Sequence, residues 1–186
     1  LMKAYYAKQD AEKLSGKGDT SQKLTLMKTS ADSLKKSADA LNDSSLWEKK
    51  KIKKKDEKTG EEIEVEDYDW DKITKAVKSF VEDYNDVVKE AGESNTKDVL
   101  RNASWMTGMT DKNSNMLAKI GITIGKGNKL ELDEDALKQA DISSLKTVFT
   151  GYNSFVSKIS QKATGISNAA NRASATYTNN GTYSKT

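Results

Sequence analysis

Any chemistry in this chain of 186 residues must come from carboxylates, lysines, hydroxyls and tyrosines, because it has no histidine and no cysteine. Without histidine the commonest general base is gone. Without cysteine there are no disulfides and no thiolate metal sites. Four clusters remain to be weighed. Gly121-Ile-Thr-Ile-Gly125-Lys126-Gly127 has the glycines and lysine of a phosphate loop. That loop requires four residues between its glycines and Ser or Thr after the lysine. Here three intervene and Gly127 follows, which is the composition of a hairpin turn. Asp111, Asn113 and Asn115 open like a calcium loop, but Met116 stands where glycine makes the sharp turn and Ile122 where a bidentate glutamate closes it. A solvated inter-helix loop fits better.

The third and fourth clusters are linked. Residues 49–55 hold six lysines around Ile52, and Glu61, Glu62, Glu64, Glu66 and Asp67 follow a short turn-like stretch ending in Gly60. Lys50, Lys53 and Lys54 are candidate contacts for phosphates or another anionic polymer. The acidic run supplies compensating charge within the same predicted hairpin. The acidic run alternates with Ile63 and Val65, and no convergent cation site is expected from it. Trp47, Trp70 and Trp105 suit either contact anchors or packing at junctions. No catalytic, cofactor-binding or metal-ligating residue is assigned, and no cofactor is expected.

The elements that position these residues follow from hydrophobic spacing. Leu24, Met27, Ala31, Leu34, Ala38 and Leu41 repeat at intervals of three and four, the seam of a coiled coil, over residues 20–43. A lone helix of this length is marginal in water, so it needs partners. Residues 46–68 predict a β-hairpin in which lysines face glutamates. Residues 69–90 predict a helix whose stripe is Ile73, Val77, Phe80, Val81, Tyr84, Val87 and Val88, with Asp69 as its N-cap and Gly92 as its stop. Residues 96–119 predict another, with Val99, Leu100, Ala103, Met106, Met109 and Leu117 inward, weakened by Gly108 and the polar stretch 111–115. Residues 121–132 predict a second hairpin, and Asp133 caps a short helix to about Ala140. One long helix is expected over 144–173, carrying Leu145, Val148, Tyr152, Phe155, Ile159, Ile166 and Ala173 despite Gly151 and Gly165. A short helix over residues 1–14 and a mobile polar tail over 176–186 complete the chain.

The expected fold class is therefore mainly α: an elongated antiparallel helical bundle or coiled coil with one or two small β-hairpins. Residues 1–175 form one module in this reading. The helices of 20–43, 69–90 and 144–173 pack stripe to stripe. The packing and assembly residues expected to carry function are Leu24, Met27, Leu34, Leu41, Val77, Phe80, Val81, Tyr84, Leu145, Tyr152, Phe155 and Ile159. Hydrophobic residues make up 35% and charged residues 32% of the chain, which suits a long, thin shape whose helix faces mostly touch water. Net charge is only +3, so no global field favours nucleic acid. No apolar run approaches the roughly 18 residues of a membrane span, so no membrane insertion is expected.

Four segments then carry more than periodicity. Val77-Lys-Ser-Phe80-Val81-Glu-Asp-Tyr84-Asn85 resembles the V-x-x-F-V-x-x-Y-N helix of bacterial flagellar filament capping proteins, the flagellar hook-associated protein 2 family. Val99-Leu100-Arg101 resembles the family's short L-R helix. Leu117-Ala-Lys-Ile120-Gly121-Ile122-Thr123, with Lys129-Leu130-Glu-Leu132-Asp133 and Leu137, resembles its I-G-I-T and G-K-L-x-L-D segments, with Asn128 inserted between Gly127 and Lys129. Val148-Phe149 matches part of the V-x-x-L-F that follows. The order holds over residues 73–165, while residues 1–70 carry none of the pattern, as in a reduced relative. The resemblance implies an exported, extracellular, non-catalytic protein of the flagellum or cell surface. It implies a homo-oligomer or a partner of flagellin-like axial proteins, acting by helix packing and association. An alternative reading is a surface-exposed binding module that engages an anionic polymer through the lysine-rich hairpin.

Overall fold

The computed structural model describes residues 18–175; the expected helix over 1–14 and the tail over 176–186 lie outside them. Helix α1 spans Ser21–Leu41. Thr20 stays extended ahead of it and its hydroxyl accepts from the Lys23 amide at 3.2 Å, satisfying one of the amides a helix start leaves open. All six residues of the expected seam, from Leu24 to Leu41, are buried. A short 3-10 turn, Ser44–Trp47, is capped by Asp43 and leads into strand β1, Lys50–Lys55, and strand β2, Glu62–Asp67. Gly60 turns the chain between them at φ +72°, a conformation glycine adopts freely.

Helix α2, Trp70–Gly92, begins where Asp69 accepts from the Lys72 amide, with Asp71 in the first turn. Its whole predicted stripe is buried. Helix α3 spans Lys97–Lys112 and helix α4 spans Ser114–Ala118. The expected 96–119 helix is thus divided at Asn113. Strands β3, Ile122–Ile124, and β4, Leu130–Leu132, form the second hairpin. Helix α5, Glu134–Gln139, is capped by Asp133. Helix α6 spans Ile142–Phe149 and helix α7 spans Phe155–Ala175.

Polar contacts fix the directions of packing. Asp19, ahead of α1, accepts from the Ser94 hydroxyl and the Asn95 amide just past α2, and Ser37 near the end of α1 donates to Asp83 within α2 at 2.6 Å. The two helices therefore run antiparallel. Ser160 at the start of α7 donates to Asp39 at the end of α1 at 2.7 Å. Arg172 of α7 approaches Asp98 of α3, and Tyr84 of α2 donates to Thr110 of α3. The four long helices close an up-down-up-down bundle in the order α1, α2, α3, α7, with one core running through it.

Two expectations are corrected. The bundle has four sides, not three, because α3 buries Val99, Leu100, Ala103 and Met106 and closes the fourth face. The long C-terminal helix is two helices. Thr150 ends α6 with its amide and hydroxyl on the Lys146 carbonyl. Gly151 then turns at φ +103°, and the Ser154 hydroxyl accepts from the Ser157 amide at 3.1 Å to start α7 afresh. Tyr152 falls in this turn and is 85% exposed. Its heptad spacing was real, but the register it belonged to stops at Phe149, so it does not join the core.

Candidate functional site

The β1–β2 hairpin rises from the bundle end where α1 and α6 finish. Its register sets Lys50 against Asp67, Lys51 against Glu66, Lys53 against Glu64 and Lys55 against Glu62. One face is thus entirely Lys and Glu. The opposite face carries Ile52 against Val65, with Lys54 against Ile63. Lys54 reaches along this face to the Asp67 carboxylate. That hydrogen bond, with one from the Tyr68 amide, holds the Asp67 carboxyl below its usual range. Ile63 is 39% exposed, and Ile52 and Val65 are half-buried. The candidate anion contacts Lys50 and Lys53 therefore sit opposite carboxylates, and Lys54 is engaged by Asp67.

The root of this hairpin is rigid. Trp47 is buried, stacks on Phe149 at 5.6 Å and 11°, and its indole N–H donates to the Leu41 carbonyl at 2.7 Å. Phe80 meets Phe149 and Phe155 edge-on at 6.4 and 6.3 Å, an arrangement that aromatic quadrupoles favour. Lys49 lies 5.7 Å over the Tyr68 ring. The hairpin is held at its base from α1, α2, α6 and α7 while its strands extend into solvent.

Of the twelve residues singled out for packing and assembly, Leu24, Met27, Leu34, Leu41, Val77, Phe80, Val81, Tyr84, Leu145, Phe155 and Ile159 are brought together in the one core. Their contacts are spent inside the chain. Tyr152 stands apart on the surface. Trp47 is a packing residue, Trp70 is half-buried against the core, and Trp105 is 53% exposed with the Lys162 ammonium 5.0 Å above its ring. Lys162 of α7, half-buried, therefore has an aromatic partner.

The second hairpin is positioned by a side chain that periodicity does not reveal. Asn85 of α2 accepts from the Leu130 amide at 2.7 Å and donates to the Leu130 carbonyl at 2.9 Å. Its amide completes the free edge of β4 as a neighbouring strand would. The glycine-rich segment is a hairpin turn: Gly125 N–H donates to the Lys129 carbonyl at 2.7 Å, and Gly127 and Asn128 both have positive φ. Gly121, at φ +90°, lies so close to Asp133 that an added Cβ would come within 2.7 Å of its carbonyl oxygen. Asp111, Asn113 and Asn115 surround the break between α3 and α4, where Asn113 donates back to the Met109 carbonyl. Among the described residues no three carboxylates gather where they could share a metal ion, and no helix is long and apolar enough to cross a membrane.

Sequence reasoning missed Asp19, which is buried and also accepts from the Thr96 hydroxyl, tying α1 to the α2–α3 turn. Its signal was weak: one aspartate before an N-cap threonine. It also missed the reciprocal pair of bonds between the Asn42 side chain and the Gly151 backbone.

Comparison with known proteins adds one finding. The family model described as flagellar hook-associated protein 2 C-terminus matches residues 94–186, the half of the chain that begins at the α2–α3 turn. No curated protein matches. No solved structure matches.

Proposed function

The chain belongs to the flagellar hook-associated protein 2 family, structural proteins of the bacterial flagellum located outside the cell, and on that premise we propose that it acts as a cap-type assembly element by associating with other chains. The family match carries this reading. It covers α3 through α7, and those helices close the same core as α1 and α2, so the family's segment and the rest of the described chain form one packed unit. With eleven of the twelve expected assembly residues buried in that core, contact with other molecules falls to what is left outside. Among the described residues that includes the charged hairpin, Tyr152, Trp105 and Leu26, the last 54% exposed on α1. The role is mechanical: packed helices present these surfaces to a second copy or to flagellin-like axial proteins.

The test is light scattering of the purified chain over a wide concentration range, together with co-sedimentation on assembled flagellar filaments. A larger species or retention on filaments is expected. A strict monomer that filaments leave in the supernatant would sink the reading.

A further inference from the structure

Among the described residues the β1–β2 sheet has two strands, and the outer edge of each is open there. Open edges are templates for pairing with another chain. Here the two edges differ in sign. Strand β1 holds five lysines, Lys50, Lys51, Lys53, Lys54 and Lys55, and no acid. Strand β2 holds four acids, Glu62, Glu64, Glu66 and Asp67, and no base. A lysine-rich edge ordinarily guards a sheet against pairing, but this guard works only against its own kind. Two β1 edges side by side would set ammonium against ammonium, and two β2 edges carboxylate against carboxylate. Like charges directly opposite are destabilising. A β1 edge beside a β2 edge instead repeats the arrangement already present within the hairpin, where four of the six facing pairs join lysine to a carboxylate.

We propose that these edges are the joint between copies of this chain, with β1 of one molecule lying beside β2 of the next. The contact is head-to-tail: each copy keeps one free edge of each sign, so pairing propagates until rotation closes a ring. If the rotation axis runs along the strands, every β1 points one way and every β2 the other. The new pair is then antiparallel, as the existing one is. Three further features suit this role. An isolated two-stranded hairpin is marginal in water and gains from added strands. The apolar strip of Ile52, Ile63 and Val65 would continue across the joint and lose part of its exposure. The aromatic root at Trp47 and Phe149 holds the hairpin in a fixed pose, which lowers the ordering cost of docking. This inference rests on the association proposed above and names its surface and partner.

The test uses a charge-swapped chain in which Lys51, Lys53 and Lys55 become Glu and Glu62, Glu64 and Glu66 become Lys. All four facing charge pairs inside the hairpin stay oppositely charged. Swapped chains should associate with one another as the original does. Mixed with the original, they should form few hybrid species by native mass spectrometry, because each hybrid joint puts like charges together on that face. Hybrids at statistical abundance would overturn the proposal. Hybrids in excess would also overturn it, since they are the mark of like edges pairing. As a second variant, residues 50–67 are replaced by a short Gly-Ser linker, with far-UV circular dichroism confirming the bundle. Association should weaken by at least about tenfold. Unchanged association would overturn the joint but leave the assembly reading standing, whereas an original chain that is monomeric throughout would overturn both. Hairpin-dependent retention on a heparin column, with association unaltered by the linker, would assign the hairpin to a polyanion instead.

Discussion

Asn85 uses its side-chain amide as a substitute peptide group, closing both polar groups of Leu130. Replacing it with alanine leaves a backbone donor and acceptor without partners in a half-buried place, at a cost of about 1–3 kcal/mol. Denaturant midpoints should record that loss, and hydrogen exchange should show the Leu130 amide exposed selectively. Tyr84 is a second case. Burial pushes its phenol well above the usual value, so it remains a neutral donor to the Thr110 hydroxyl at 2.8 Å. Thr110 passes the chain on to the Met106 carbonyl. Tyr84→Phe should therefore cost about 0.5–1.5 kcal/mol without disturbing the fold, as thermal unfolding can measure. Both residues stand in the resemblance motif, yet nothing in a repeat of apolar positions says which polar partner each will meet.

At the scale of elements, what periodicity encodes was readable and what interrupts it was not. The stripes of α1 and α2 predicted their buried faces because each position recurs on one side of a 3.6-residue turn. The Lys/Glu hairpin was readable from alternation and from charge of opposite sign on either side of Gly60. The break at 150–154 was hidden because Tyr152 keeps the spacing of a continuous stripe. The relevant signals were local: a glycine able to take positive φ, followed by Ser154 as a new N-cap. Because the chain breaks at 150–154, Phe155→Ala should cost about 3–5 kcal/mol. Tyr152→Ala should stay within about 0.5 kcal/mol, as for an exposed residue. Similar losses for both in chemical denaturation would mean one continuous helix. The division of α3 from α4 was likewise foreshadowed only by the polar stretch 111–115.

For the whole molecule, α1 is clipped to its neighbours by carboxylates at its rim. Burial opposes ionisation of Asp32 and Asp39. Hydrogen bonds from Ser167 and Lys28 to Asp32, and from Lys35 and Ser160 to Asp39, outweigh it, so both carboxyls titrate below 3.8. A depressed folded value means the stabilisation is fully present above the unfolded value and is lost as pH falls through the folded one. The melting temperature should therefore decline below about pH 4. Both side chains are about half exposed, so each contributes only about a few tenths of a kcal/mol. Ser160→Ala should make the acid decline shallower. The same antiparallel layout has a consequence for handling the protein. Asp19 lies against Ser94 and Asn95, and Arg172 near Asp98, so the chain enters and leaves the described bundle at one pole, with the hairpin at the other. A 21-residue α1 separates them by roughly 30 Å. A dye or tether grafted beside Ala175 would thus report on one end of the rod while leaving the opposite tip unobstructed, and the two poles can be interrogated independently in a single molecule.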